Sequence, residues 1–462
     1  MPGFIILAGY SLVLGLIYCY LKKKGAIHKA DVKNMIFAGG QVRSSTLVFS
    51  VFSAWMWTTS IFGATETYLL YGVWGPLGYV IGACISFALF IPFVCGLRKR
   101  MPESNTYLDF LQKRYGKKTK YFFYMFAFII SAYVLIEQAV GIASLMETFF
   151  GISFKWAAFI SVMAAVCFIC LSGMQGLLLN ERMTFLIIIG GFLFFILFFL
   201  KDEMVYSPKD FLHTPEDWLV SSVLIPAFRY FVMAIVIGFS QLVFDPAYYL
   251  KGKMAKDQKQ LKFSFFTGGI LLWGILTLAA SLYLGRASAD LNGQVTDLFA
   301  GYGAVVFAIV ILFIGGSTIC HYLMGMLGIF TVDYYTSALR PGASEKQQLV
   351  FGRVMTVAVG IFCALVAISL ENISLLTIDV FCAIFFAAPC GPLLFGYFSR
   401  RRFGKVPVIA TAAGIIAGLI VWIATPDKGQ WGQFLGMAVS LGLPFLIMVM
   451  RGYAFHFPEK KD

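Results

Sequence analysis

What this chain lacks narrows it first. No connection between its apolar runs is long enough to hold a soluble domain; the longest are about two dozen residues. It contains no G-x-x-x-x-G-K-[ST] loop, so ATP drive is not expected. Low-complexity segments and strong internal sequence repeats are absent. Residues 1–21 do not read as a cleaved leader, because the basic cluster follows the apolar run and no small-residue cleavage site is evident. The nine cysteines all fall in apolar runs. There the C-x-x-C of Cys167 and Cys170 reads as small buried residues, not as metal or redox chemistry. A 60% apolar composition and a mean hydropathy of +0.82 exclude an ordinary soluble domain. Lys and Arg outnumber Asp and Glu by 36 to 23. In a soluble protein that excess would suggest nucleic acid; here it lies in loops and needs no nucleic acid, only anionic lipid headgroups.

What is present is a series of thirteen apolar stretches, at 3–21, 45–72, 74–97, 119–149, 153–173, 180–200, 219–243, 262–285, 299–330, 350–370, 373–396, 407–425 and 431–451. Each approaches or exceeds the ~20 residues a helix needs to cross ~30 Å of hydrocarbon. The fold class is therefore an all-α integral membrane protein. The odd connections and the C-terminal tail carry 30 of the 36 Lys and Arg. Lys22 to Arg43, Arg98 to Lys120, Lys251 to Lys262 and Arg400 to Lys405 are the main clusters. The even connections hold only Lys155, Lys201, Lys209, Arg286 and Lys428. The positive-inside rule then puts the N-terminus outside and the C-terminus inside. Residues 104–116 read as a short amphipathic helix along the inner membrane surface. Tyr107, Leu108, Leu111 and Tyr115 share one of its faces, and Ser104 is a candidate cap.

Charges inside lipid are costly and mark function or helix pairing. Four stand out: Glu66, Glu137, Arg229 and Asp379. Glu137 and Arg229 are flanked by apolar sequence on both sides and read equally as a structural pair or as solute contacts. Asp379 lies near the outer end of its run and reads as wet. The run from Ser53 to Thr67, with Trp55, Trp57 and Ser60, is dense in hydroxyls, small residues and tryptophans. It suits close helix packing or a helix that unwinds and offers carbonyls to an ion. The two tryptophans are too deep for an interfacial belt and suit a cavity wall. In the ninth run, Gly315-Gly316-Ser317-Thr318 suits helix packing on spacing alone and also suits oxygen ligation of a hard cation. His321 reads as a packed neutral histidine.

Four motifs resemble the sodium:solute symporter family, over about residues 45–400. Trp55-Met56-Trp57 followed by Tyr71-Gly72-Val73-Trp74-Gly75-Pro76, Tyr79 and Gly82 is similar to the active urea transporter branch, as is Asp245-Pro246-Ala247-Tyr248-Tyr249 with its lysine-rich loop and Gly268-Gly269. Ser172-Gly173-Met174-Gln175-Gly176 resembles the family's fifth-helix exit, and Ser317-Thr318 with Asp333-Tyr334-Tyr335 its sodium-binding ninth helix. The resemblance implies a leucine-transporter-type core of two inverted five-helix repeats around a midplane site. Its parts would be 1–44 (an extra helix and loop), 45–200 (first repeat), 201–398 (second repeat) and 399–462 (two further helices and tail). It also implies a sodium ion held by the hydroxyls of Ser317 and Thr318 and the carbonyls of Ile314, Ser53 and Met56. No organic cofactor is implied, and the function is transport, not enzymatic. The solute is a small molecule that meets Trp55, Trp57, Ser60, Glu66, Glu137 and Arg229. Urea transporters of that branch have small or uncharged residues where this chain has Glu66, Glu137 and Arg229, so a charged polar solute is expected in place of urea.

The leading expectation is thus a sodium-coupled symporter in a plasma membrane, of bacterial type from its shortness. A proton-coupled version with Glu137 and His321 as carriers is the alternative, with urea as an alternative solute. A transporter-like sensor is opposed by the short tail Arg451–Asp462, and a channel by the cation constellation.

Overall fold

The structure, a computed structural model, describes residues 2–27, 31–201, 221–290, 299, 301–371, 373–399, 404–426 and 430–450. Lys29, Lys209, Arg400, Arg401, Arg402, Lys428 and the tail from Arg451, all counted in the charge pattern, lie outside the described residues. Every described element is helical. The first seven are α1 (Pro2–Lys23), α2 (Val32–Phe37), α3 (Ser44–Trp55), α4 (Thr58–Tyr71), α5 (Trp74–Arg100), α6 (Tyr107–Tyr115) and α7 (Lys117–Phe150). There follow α8 (Phe154–Lys201), α9 (Ser221–Phe244), α10 (Pro246–Met254), α11 (Gln258–Phe266) and α12 (Trp273–Asp290). The last are α13 (Tyr302–Gly328), α14 (Glu345–Ile368), α15 (Leu375–Phe398), α16 (Val406–Ala424) and α17 (Gln430–Met450). A π-turn, Thr267–Leu272, joins α11 to α12, and Ile329–Leu339 continues α13 in the same wider winding.

Among the described residues eleven helices are long and apolar enough to cross a membrane, and the bent pair α3–α4 makes up to twelve. The run read as one span at 45–72 is that pair, bent by 50° where Met56 and Trp57 leave the helix. The opposite happens at 154–201, where two expected runs form one 48-residue element broken at Gly173 (φ 57°, ψ −149°). A continuous helix of that length would be about 72 Å long, more than twice the hydrocarbon thickness. Glycine is required at the break because of that positive φ, and because a Cβ there would meet the Met35 carbonyl at 2.5 Å.

Burial sorts the helices. In their most apolar windows, α7 is 83% buried and α13 and α15 are 78% buried, against 28% for α1, α16 and α17. The peripheral pair α16–α17 closes through small residues: a Cβ on Gly418 would meet the Gly436 carbonyl at 2.6 Å. Close backbone approach of this kind is how helices associate where water gives no drive. Between α5 and α9 the same device recurs, with Gly82 against Ala234 and Gly238 against Ser86, whose hydroxyl bonds the Ile235 carbonyl at 2.9 Å.

Six odd-numbered connections meet at one end of the bundle. Val42 N–H donates to Met254 O (3.1 Å), Arg98 to Gly252 O (3.0 Å) and Arg100 to Tyr397 O (2.9 Å). Gln175 donates to Ala38 O (2.8 Å) and Val32 N–H to Glu345 (3.0 Å). Gly3, near the N-terminus, packs instead on Phe150 and Ile152 of the fourth connection. The amphipathic segment is helical, with two corrections. Its cap is Thr106, which accepts from Leu108 N–H at 3.3 Å, while Ser104 donates to the Thr106 carbonyl. Its apolar face does not lie on lipid: Tyr107, Leu108 and Leu111 are fully buried against the bundle.

Gly173→Ala tests the break in α8. The φ/ψ strain and the clash with Met35 should together cost roughly 1–3 kcal/mol, seen as a melting temperature several degrees lower for the detergent-solubilised protein. Unchanged melting would mean the break is not needed.

Candidate functional site

The break between α3 and α4 is the centre of the site. Trp57 N–H, which would ordinarily bond the Ser53 carbonyl, instead donates to Ser60 Oγ at 3.2 Å. Thr58 N–H donates to Gln138 Oε1 of α7 at 2.8 Å, and Trp57 Nε1 returns to the Ala54 carbonyl at 2.8 Å. Freed carbonyls at Ser53 and Met56 are what such a break produces. Met56 O accepts from Thr318 Oγ1 of α13 at 3.2 Å, and the same hydroxyl lies 3.1 Å from Ile314 O. Ser317 Oγ is buried with no protein partner. Four of the five expected cation ligands, Met56, Ile314, Ser317 and Thr318, therefore gather at the α3/α4–α13 contact, and Ser53 sits on the last turn of α3. Every donor is an oxygen and all five residues are fully buried. That chemistry fits a hard monovalent cation.

Beside the break lies a partly open pocket with about 30 Å³ of interior space, walled by Trp55, Trp57, Ser60, Trp273, Gln241 and Asp379 among others. Trp273 donates to Ser60 Oγ at 3.2 Å, so the two halves of the chain meet there. Tyr71 and Tyr230 stack with ring centroids 5.8 Å apart, in a satellite apolar cluster with Leu376 and Val380.

Asp379, expected to be wet, is buried. Both Tyr133 Oη and Gln241 Nε2 (3.0 Å) donate to its Oδ1. Glu137, one turn beyond Tyr133 on α7, accepts from Gln138 Nε2 at 3.3 Å through Oε2, and its Oε1 has no partner. Two expected solute residues are elsewhere. Glu66 accepts from Ser374, the cap of α15, at 2.9 Å and 3.2 Å. Arg229 lies over the Trp431 ring at 4.4 Å. Among the described residues no ion pair joins Glu137 to Arg229.

Sequence reasoning missed a second constellation, against α3. Lys251 Nζ lies 2.6 Å from Glu181 Oε1 and donates to the Ser50 carbonyl at 3.1 Å. Ser50 Oγ donates to Glu181, and Ser53 Oγ to the Glu181 carbonyl at 2.7 Å. His321 Nε2 is 2.8 Å from Asp245 Oδ2, and its Nδ1 is 3.5 Å from Glu181 Oε1. All four ionisable side chains are fully buried. Burial pulls the Lys251 ammonium below the usual lysine range, opposed by Glu181. Glu181 stands beside Arg182 at a helix start and Lys251 in a lysine-rich loop, where a buried pair looks like two loop charges.

Bundles of this kind, with a broken helix opposite a long unbroken one and oxygen ligands between them, are built by secondary transporters. The family model for the sodium:solute symporter family matches residues 35–206, so the resemblance read from the motifs stands. "Probable urea active transporter 1" of Schizosaccharomyces pombe is 22% identical over 98% of this chain and 77% of its own length. "Urea-proton symporter DUR3" of Oryza sativa subsp. japonica is 21% identical over 97% and 70%. "Osmoregulated proline transporter OpuE" of Bacillus subtilis is 23% identical over 91% and 88%. These relatives are transporters, not enzymes. In fold the chain is similar to a Na+-coupled sialic acid symporter (TM-score 0.72, 16% identity, 97% of this chain and 98% of that one). It is also similar to Mhp1, a nucleobase-cation-symport-1 family transporter (TM-score 0.61, 12% identity, 92% and 97%).

Removing one member of a buried ion pair strands the other and costs about 3–5 kcal/mol. Glu181→Gln and Lys251→Met should each lower the melting temperature sharply, and the double variant should lose much less than their sum. Additive losses would show that the two side chains are not energetically coupled.

Proposed function

We propose that this chain is a secondary-active, sodium-coupled symporter that brings a small, charged, polar solute across a plasma membrane by alternating access. The observation that carries the coupling ion is the meeting of Thr318 Oγ1 with the carbonyls of Met56 and Ile314 beside the unpartnered Ser317 hydroxyl. Carbonyls at a helix break and hydroxyls on a facing helix replace the water around a small cation. The solute reading rests on the aromatic pocket beside the same break. Deep in low-dielectric surroundings, Asp379 and Glu137 add desolvation cost unless the solute offsets them.

Counting α8 as two crossings at Gly173 and α3–α4 as one bent span takes the eleven or twelve apolar spans to thirteen. The basic connections gathered at one end support an N-terminus outside. The same assignment makes α3 to α8 one five-span repeat and α9 to α15 the other, flanked by α1 before them and α16–α17 after.

A proton-coupled reading is favoured by two observations: His321 stands between Asp245 and Glu181, and Glu137 Oε1 is buried without a partner. The name of the rice relative and those of the yeast relatives keep urea in view as a solute on that reading. Uptake into proteoliposomes under separately imposed sodium, proton and potential gradients decides between the two.

Thr318→Ala removes one oxygen from a site of five while keeping a good helix former. A contact to a charged group is worth about 1.5–3 kcal/mol, so half-maximal sodium should rise roughly ten- to a hundredfold with expression preserved. Wild-type sodium dependence in this variant would remove α13 from the cation site.

A further inference from the structure

The cavity beside the break carries negative charge and no positive charge among the described residues that line it. Asp379 receives both of its hydrogen bonds, from Tyr133 and Gln241, on Oδ1, which leaves Oδ2 for a donor that the protein does not supply. Glu137 lies on the same face of α7 as Tyr133, one turn on, with a bare Oε1. Two cations on the surrounding helices are engaged elsewhere: Arg229 over Trp431 and Lys251 with Glu181. Opposite the carboxylate stand flat rings. Trp55 and Trp57 are 5.1 Å apart and Trp55 and Trp273 6.1 Å, and Trp55 Nε1 has no partner. About 30 Å³ inside the cavity is open to water-sized spheres, room for two or three at ~10–15 Å³ each.

We propose that the solute is a compact planar nitrogen cation of the guanidinium or amidinium type. Its N–H groups bind Asp379, and its flat face lies on one of the indoles of Trp55, Trp57 and Trp273, the latter two being tilted 58° and 59° from Trp55. Two features select it together. A carboxylate with one open oxygen binds a charged N–H donor in preference to a neutral one. Indole faces hold cations, and guanidinium planes stack on them. Urea has the same planar four-atom frame, so shape does not separate the two; charge does, through the carboxylate that urea leaves uncompensated. The proposal rests on the reading of this cavity as the solute site.

The test uses the full chain in proteoliposomes, with labelled guanidinium and labelled urea at micromolar concentration. In the unmodified protein, guanidinium should be accumulated and should displace itself at concentrations at least tenfold below those at which urea displaces it. Asp379→Asn should shift the guanidinium-to-urea preference at least tenfold towards urea, with Trp57→Ala weakening both. Equal or better competition by urea in the unmodified protein overturns the solute class and leaves the symporter reading standing. That arm needs no variant, so a misfolded Asp379→Asn protein does not spare the proposal. If tryptophan fluorescence of the detergent-solubilised protein responds to some other transported solute, and Asp379→Asn and Trp57→Ala leave that response unchanged, the cavity assignment falls as well.

Discussion

Most of what the site can do depends on one violation of a membrane rule. Inside hydrocarbon, every backbone N–H and C=O needs an internal partner. The chain breaks that regularity at Met56–Trp57 and then repairs it one group at a time. The repairs come from Ser60, Gln138 and Thr318, and from the Trp57 ring itself. Each comes from a different element, so the break fixes the positions of α4, α7 and α13 relative to α3. Gly141 and Gly315 allow this closeness, since a Cβ on either would press on Thr58, at 2.6 Å and 3.1 Å from its side-chain atoms.

The second constraint is charge in the interior. Glu181, Lys251, Asp245 and His321 bring two acids, one cation and one imidazole into a space without solvent. Such clusters hold geometry better than they add stability. Here the geometry held is that of α3: Ser50 and Ser53 are both tied to Glu181 through their hydroxyls. This helix already buries Leu47, Val51, Phe52 and Trp55. Polar ties to α8 and α10 add direction to that apolar contact.

Apolar run length and basic-residue alternation made the number and placing of most helices legible, because both are properties of the chain alone. The break near Trp57 was legible only as one of two readings, since a run dense in hydroxyls, small residues and tryptophans suits close packing as well as unwinding. Legibility failed where partner choice is three-dimensional. Arg229 and Glu137 look alike in sequence, yet one lies over Trp431 and the other accepts from Gln138 inside the bundle. Glu66 looked intramembrane and capped a neighbouring helix through Ser374. Asp379 looked wet because it is one turn from a helix start, but Tyr71 and Tyr230 pack into the apolar cluster at that end of α15. The Glu181–Lys251 pair was hidden because a lysine in a lysine-rich loop gives no sign of burial.

The geometry of the break also suggests how two ligands can be coupled without a wire between them. Within three successive residues the chain divides its offerings: Met56 presents its carbonyl to Thr318 of α13, while Trp55 and Trp57 present rings to the cavity. A cation drawn to the carbonyls would fix the backbone angles at Met56, and those angles set where the flanking indoles lie. A solute stacked on the indoles would hold the same backbone and so present the carbonyls to the cation. By linkage, each ligand would then raise the affinity for the other by the same factor. The short peptide between Trp55 and Thr58 is the one element that both ligands would bias, and it joins the ends of the two half-helices. On the proposed reading, this is why the break sits between the two sites and not at either one.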